Sequence, residues 1–483
     1  MLAEELNKLI ENMISYGCET QHIELKSAEN GMPEKLYDTL SGFANQSGGG
    51  IIIFGVREKP SIAVVGVYDA QDIQSKVTSY SLQMEPVIRP VFTVSEYEGK
   101  TIISAEIPEC DASDKPCFYT GAGRVRGSYI RVGEADLHMT EYEIYSYEAY
   151  KKKIRDELRI VDRAVVSDFS KQTLAEYFVN IRRNKAQLAN LEEETILKLQ
   201  GMTNKGKPTV AGVMLLCDYP QAFFPQLGIT AMVVNGTEIG TPASDGTRFI
   251  DDKRFDGPIP NMLTEALNFV RRNTRNATVI NDDGEREDRS EYPMKAVREL
   301  ILNALIHRDY SSMTEDSPIR VLLFDDRLEV ENPGGLYGRL TVADLGNVPA
   351  DTRNPFIAGN LEVMMQTENR FSGIPTIRAE MANAGLKPPI FESKRGNFKA
   401  ILFNTKAEVE SPSNGEAALL AFLTTPKSRE EIAEFLKVKS PYYAMKKYIR
   451  PLIENGRIKL MVPDAPNSKL QRFVVNRGDL EQH

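Results

Sequence analysis

Three polar residues stand four apart in the stretch from Tyr292 to Tyr310: Glu299, Asn303 and His307. Side chains at that spacing stack along one face of a helix. A carboxylate one turn from an amide suits nucleotide hydrolysis, with the acid orienting a water and the amide oxygen ligating Mg²⁺. The same residues also read as the polar border of an ordinary amphipathic helix, because Met294, Val297, Ile301, Ala304 and Leu305 form an apolar stripe beside them. A second group is cationic. The run GAGRVRGSYIRVG sets Arg124, Arg126 and Arg131 among glycines, and guanidinium forks in a glycine-rich loop suit phosphate contacts. Solvated surface arginines are the alternative reading.

The elements that must carry such groups are clearest between Ile23 and Val56. Ile23 and Leu25 alternate with His22, Glu24 and Lys26, the period of a strand with one buried face. A helix is expected over Pro33 to Asn45, with Leu36, Leu40, Phe43 and Ala44 on one stripe. Gly48-Gly49-Gly50 then turns the chain into IIIFGV, apolar enough to be buried on both faces. Phosphate-cradling glycines lead from a strand into a helix. Here the order is reversed, which excludes a P-loop.

These residues resemble a known family. Glu24-x-Lys26-Ser27-Ala28, Phe43-Ala44-Asn45, the three glycines and Phe54-Gly55-Val56, closing with Tyr129-Ile130-Arg131-Val132-Gly133, look like the Schlafen-type, AlbA-like nucleic-acid-binding domain. The resemblance covers roughly the first 145 residues. It implies nucleic-acid binding and, in members that cleave RNA, three acids, two of them in a Glu-x4-Glu spacing. Glu19 and Glu24 match that spacing, with Lys26 beside Glu24 on the same strand face. The family's usual acidic pair after Gly-Val is replaced by Arg57-Glu58, so a third metal ligand does not follow from the resemblance.

A second resemblance lies downstream. Glu299-x3-Asn303-Ala304-x2-His307-Arg308-Asp309-Tyr310, then Asn332-Pro333-Gly334-Gly335 and Arg353-Asn354-Pro355, are similar to the ATPase domain shared by gyrase, heat-shock chaperones, histidine kinases and mismatch-repair proteins (GHKL). They look closest to its divergent branch related to RecG helicase C-terminal regions. The resemblance implies ATP with Mg²⁺ as cofactor, Glu299 as the catalytic acid, Asn303 as the metal-facing amide, and Asn332, Gly334, Gly335 and Gly373 around the nucleotide. Two departures weaken it. Asn332 stands where relatives carry an adenine-reading Asp, and the lid reads Phe371-Ser372-Gly373-Ile374 where relatives often carry Gly-Thr-Gly-Ile.

The remainder of the chain supplies context. Short β-rich runs are expected from Ser61 to Ile107, with a hairpin turn at Tyr97-Glu98-Gly99-Lys100. Helices rich in Lys, Arg and Glu are expected from Thr140 to Gln200, as a connector or a dimerisation surface. TVAGVMLLC and LGITAMVVNG read as β-rich, Pro258 to Asn273 as a helix, and Asn281 to Glu291 as an exposed loop. After a linker at Lys406 to Gly415, the C-terminus resembles a winged helix. Its third helix, capped by Ser440, carries Tyr442, Tyr443, Lys446, Lys447 and Arg450, which suit a major-groove reader. Pro451 suggests that this helix kinks or ends early.

The totals bound the class. A chain of 483 residues holds two to four domains. A net charge of −9 argues against indiscriminate coating of nucleic acid but leaves room for a local basic patch. Cys18, Cys110, Cys117 and Cys217 lack zinc spacing and read as reduced thiols. The N-terminus reads as an amphipathic helix, not a signal peptide, and no run is long and apolar enough for a membrane span. The expected architecture is therefore α+β multidomain: an AlbA-like α/β domain over 1–148, a helical connector over 149–205, a GHKL-like α/β sandwich over 206–408 and a winged helix-turn-helix over 412–483. The expected function is a cytoplasmic, transcription-regulator-like protein. DNA is its main partner, RNA a second, and a homodimer its assembly. The central domain is a nucleotide sensor or relic. The competing function is an enzyme of stress or phage defence that hydrolyses ATP or cleaves RNA with a metal.

Overall fold

The strand–helix–glycine–strand unit is present. In the computed structural model, Ile23–Lys26 pairs in parallel with Gly50–Phe54, joined by the helix Tyr37–Asn45 (α2). The structure describes residues 1–16, 20–33, 36–59, 61–240, 249–280, 286–348, 351–365, 373–394, 396–405, 419–420, 422–435, 444–461 and 471–476. The chain divides into two units, Met1–Lys406 and Ala407–His483. Both α and β elements build each of them, and no helix among the described residues is long and apolar enough to cross a membrane.

The first sheet runs in the order Ile23–Lys26, Gly50–Phe54, Lys100–Ile107, Val91–Tyr97. Gly50–Phe54 is central, which is why its run of Ile and Phe is buried on both faces. The turn before it needs glycine. Gly49 has φ +67°, and a Cβ there would stand 2.2 Å from the Ile107 carbonyl oxygen. The hairpin at Tyr97–Lys100 forms as expected, with Glu98 and Gly99 both at positive φ, the pattern of a two-residue type I′ turn. The amphipathic N-terminal helix Ala3–Tyr16 (α1) buries Leu6, Ile10 and Met13 against Ile23, Leu25, Ile53 and Ile102.

Two expectations for this region need correction. Helix α2 spans Tyr37–Asn45 where Pro33 to Asn45 is expected, and residues 34–35 lie outside the described residues. The run from Ser61 to Ile107 is not wholly β-rich, because Ala70–Ser81 is a helix (α3). Asp69 caps it by accepting from the amides of Gln71 and Asp72, and Ile73, Val77 and Ser81, four apart, form its buried face. A short helix, Gly123–Gly127 (α4), and the paired strands Tyr129–Val132 and Ala135–His138 complete the region.

Helix Glu141–Lys151 (α5) follows, closed at its start by a capping box between Thr140 and Glu143. Helices Lys171–Asn184 (α6) and Glu193–Leu199 (α7) come next. Their Tyr177, Phe178, Ile181, Ile196 and Leu197 belong to one large core with the second sheet. That sheet runs Phe249–Phe255, Ile229–Val234, Ile319–Leu323, Arg327–Pro333, Asn397–Phe403, Ile390–Lys394. Only the pairing of Ile229–Val234 with Ile319–Leu323 is parallel.

Here too the sequence misleads in places. Val210–Leu216, inside the β-rich run TVAGVMLLC, is a helix (α8) capped by Thr209, whose hydroxyl accepts from the Gly212 amide. All seven of its residues are buried, so no period betrays a helix. The run from Asn281 to Glu291 is not all loop, since Arg286–Ser290 pairs with Asn276–Ile280 as a polar hairpin. Helix Ile259–Asn273 (α9) forms as expected and buries Met262, Leu263, Ala266 and Val270.

The second unit has its own core of Leu419, Leu423, Ile432, Ile449, Leu452, Ile458, Phe473 and Val475. Strands Ile458–Leu460 and Phe473–Val475 pair antiparallel. Helix Arg429–Phe435 starts with the expected reciprocal cap: the Ser428 amide donates to Glu431 at 2.7 Å, and the Glu431 amide to the Ser428 hydroxyl at 3.3 Å. Pro451 does not end the following helix. A π turn over Met445–Ile449 leads into Arg450–Glu454, and the wider turn relieves the clash a proline ring makes with the carbonyl four residues earlier.

Candidate functional site

The three motifs of the downstream resemblance converge around helix Met294–His307 (α10). Its apolar stripe packs into the large core, leaving Asn303 and His307 toward a cavity of about 300 Å³. Strand Arg327–Pro333 runs under the cavity and ends in Gly334-Gly335. Loop residues Asp351, Thr352 and Arg353 close one side, just before helix Pro355–Met365 (α11). The first turn of helix Gly373–Asn383 (α12), at Gly373, Ile374 and Pro375, closes the other. Asn303, Asn332, Gly334, Gly335 and Gly373 thus all line one cavity. Leu300, Ala304, Val330, Leu345 and Ala400 make much of the rest apolar.

A network of buried polar groups fixes that arrangement. Asp309 is paired with Arg353 at 3.0 Å, both nearly out of solvent, and its amide donates to the Pro333 carbonyl. Asn354 donates to the carbonyls of Ile306 and Arg308 at 2.8 and 2.7 Å, closing the end of α10. Arg308 is fully buried and donates to the carbonyls of Asp309, Thr314 and Ser317. Gly334, at φ +108°, lets the chain pass Arg353 and Asp309, where a Cβ would stand 2.5 Å from the guanidinium. The motifs from 307 to 310 and 353 to 355 are therefore scaffold for the cavity wall.

Three groups in the wall lack a hydrogen-bond partner among the described residues: the Asn332 side-chain oxygen and the hydroxyls of Tyr337 and Thr352. Asn332 is 3% exposed, and its Oδ1 has no hydrogen-bond partner. A buried amide oxygen without a partner costs roughly 1–3 kcal/mol, which a ligand donor entering the cavity would recover. His307 faces the cavity with its side chain exposed there, and the protein around the ring together with Arg353 pushes its imidazole down to about 4. Glu299 does not join the group: it pairs with the neighbouring Arg298 at 3.1 Å and is absent from the cavity lining. Phe371 and Ser372 of the lid lie outside the described residues.

The N-terminal candidates are placed differently. Glu24 has both oxygens engaged, Oε1 by Lys26 at 2.5 Å and Oε2 by Arg131 at 2.6 Å. Glu19 lies outside the described residues, among which no cluster of three metal-ligating side chains occurs. The phosphate-facing role expected for Arg131 is corrected. Its side chain is 1% exposed, lies over the Phe43 ring and also pairs with Asp136 at 3.2 Å. A guanidinium at that depth requires such partners. Arg124 lies over Phe118 and pairs with Glu148. Arg126 is exposed, with no ion pair among the described residues. The Asn45 of Phe43-Ala44-Asn45 is a clamp, donating to the carbonyls of Cys117 and Tyr129 and accepting from the Cys117 amide.

In the second unit, Tyr442 and Tyr443 lie outside the described residues, as do the capping Ser440 and Pro441. Lys446 and Lys447 fall in the π turn, and Arg450 is exposed at the start of the α-helical segment. Sequence reasoning missed the tyrosines of α5. Tyr142 donates to Asp309 at 2.7 Å and Tyr150 to Asp351 at 3.0 Å. Their spacing on one helix face was the available signal, hidden among charged residues.

Comparison with known proteins agrees with the Schlafen-type and the RecG-related resemblances. Residues 19–140 match the family model described as "Schlafen, AlbA_2", and residues 316–402 that described as "Putative ATP-dependent DNA helicase recG C-terminal". Residues 417–475 match "Filamentation induced by cAMP protein Fic-like, C-terminal domain". No curated protein matches the chain. Among solved structures, the DIP2311 protein from Corynebacterium diphtheriae is similar at 19% identity and a TM-score of 0.41, over 98% of this chain and 97% of that one. The N-terminal domain of a RecG-related protein from Nitrosomonas europaea is similar at 25% identity and a TM-score of 0.23, over 28% of this chain and 92% of that one. The chain thus joins a Schlafen, AlbA_2 segment to a segment of the RecG C-terminal type.

Proposed function

We propose that the protein is a nucleic-acid-binding, transcription-regulator-like molecule whose central, GHKL-like domain binds an adenine nucleotide without turning it over. The unpartnered Asn332 amide in the cavity wall carries this reading. Its oxygen can accept from an adenine amino group, and the apolar lining suits a base and sugar. Gly334 and Gly373 bring the backbone close against Arg353 and Asn303, the cation and the amide beside which phosphates would lie. Asn303 would offer its amide oxygen to a Mg²⁺ ion, whose chemistry there is to neutralise phosphate charge.

Turnover needs an acid aimed at a water beside the γ-phosphate. Glu299 is held by Arg298 away from the lining, which favours binding over hydrolysis. Nucleic acid is assigned to the AlbA_2 segment, in keeping with its family match, and, on its sequence alone, to the C-terminal unit read as a winged helix. A thermal scan tests the nucleotide half. ATP with Mg²⁺ at millimolar concentration raises the melting temperature by mass action on the folded state, with no phosphate release. An unchanged melting temperature overturns it.

A further inference from the structure

We infer that α5 is a coupling strut: it ties the cavity loop to the arginine turn at Gly123–Gly127, so that occupancy of the cavity regulates the N-terminal nucleic-acid face. The inference rests on the nucleotide reading for the identity of the ligand, but not for the existence of the coupling. Three of the helix's four tyrosines, Tyr142, Tyr145 and Tyr150, donate to carboxylates outside the helix. Tyr145 reaches both oxygens of Asp156 at 2.7 Å, Tyr142 reaches Asp309, and Tyr150 reaches Asp351. Asp351 lines the cavity directly, and Asp309 holds Arg353, which also lines it.

Packing reinforces those bonds. The Tyr150 ring meets Tyr337, another lining residue, edge-on at 5.2 Å. A Cβ at Gly396 would stand 2.4 Å from the Tyr142 ring, and the Gly396 carbonyl accepts from the amide of the lining residue Gly334. Elsewhere on α5, Glu148 pairs with Arg124, and the Tyr147 ring lies under Lys115 at 5.9 Å. Arg124 stands two residues from the exposed Arg126, in the short helix α4.

The physical content is a shared set of partners. A nucleotide that displaces Asp351 takes the hydrogen-bond acceptor away from Tyr150. Helix α5 then shifts or loosens, and Glu148 carries the change to Arg124. Each tyrosine bond is worth a factor of about 3 to 10 in a local opening equilibrium.

Hydrogen exchange of the full-length protein tests this in two arms. Without ligand, Asp351→Ala and Tyr150→Phe each speed exchange of the amides in Gly123–Gly127 by about threefold or more, while the strand Ile319–Leu323 keeps its protection. Unchanged exchange at 123–127 in both variants overturns the coupling whatever the cavity binds. With ATP and Mg²⁺, exchange at 123–127 changes in the wild type and in Tyr145→Phe, whose acceptor Asp156 is not in the cavity lining, but not in Tyr150→Phe. An equal response in Tyr150→Phe overturns the strut. A missing melting shift with ATP overturns the nucleotide reading instead, and the ligand-free arm still decides the coupling.

Discussion

Gly373 stands so close to the side-chain amide of Asn303 that a Cβ there would lie 2.7 Å from Nδ2 and 3.1 Å from Oδ1. The glycine of the lid and the amide of α10 are thus fitted to each other. Gly373→Ala must push Asn303 aside, while leaving Ile377 and Met381 of α12 in the core. Its ATP-dependent rise in melting temperature therefore falls to less than half that of the wild type. Asn303→Ala removes the rise, and Glu299→Ala leaves it intact because that carboxylate is held elsewhere. Thermal scans of the three variants with and without ATP·Mg²⁺ check the ranking, and a Glu299→Ala variant that loses the shift contradicts it.

The pairing of Glu24 with Arg131 predicts an absence of metal chemistry. Both carboxylate oxygens already accept charged donors, so a divalent ion would have to displace an almost fully buried guanidinium. Incubation of the protein with structured RNA and Mn²⁺ or Mg²⁺ yields no cleavage. Cutting that is lost in Glu24→Ala would show the prediction wrong. Arg131→Ala, by contrast, removes the buried cation that Glu24 and Asp136 share and costs about 3 kcal/mol in urea unfolding.

What was legible in the sequence follows from what short-range pattern encodes. The buried strand Gly50–Phe54, the turn at Glu98-Gly99, the cap at Ser428 and helix α9 depend on neighbours in the chain, and each was readable. Helix α8 was not, because its uniform burial erases the period that separates helix from strand. Helix α3 carries a signal of its own in the cap Asp69 and the four-residue spacing of Ile73 and Val77, set among β-rich runs. At the site, spacing brings out Glu299 and Asn303 together but cannot say that Asn303 lines the cavity while Glu299 does not. The depth of Arg131 was also illegible, since it depends on Glu24, which is 107 residues distant in sequence.

Glu157 gives a pH signature. It is fully buried, and its carboxylate accepts from the amides of Phe356 and Ile357 at the start of α11. Burial nevertheless pushes its carboxyl up to about 7, against the two amide bonds and Arg155, which hold it down. Between about 4.5 and 7 the folded state therefore binds more protons than the unfolded one, so this group's contribution to stability falls as pH rises through that window. His307, pushed down to about 4, runs the opposite way below its ordinary value, so the effect is read as a difference between two proteins. The stability of the wild type minus that of Glu157→Gln drops by about 2 kcal/mol from pH 5 to pH 7.5. A flat difference in urea midpoints across that range refutes the assignment.

The C-terminal unit carries the last prediction. Lys446 and Lys447 sit in the π turn that precedes Pro451, in the helix read as facing duplex DNA. If each neutralises one phosphate, each contributes about 0.9 to the slope of log affinity against log salt. The full chain should bind duplex DNA with affinity that falls as salt rises, and the double variant Lys446→Ala, Lys447→Ala should flatten that slope by roughly 2. The substitutions leave the core residues Ile449 and Leu452 in place, so the unit keeps its fold and the change reports on phosphate contact alone. Titrations at four salt concentrations measure it. An unchanged slope would take this helix out of the interface and leave the exposed Arg126 of the first unit as the cation to test next.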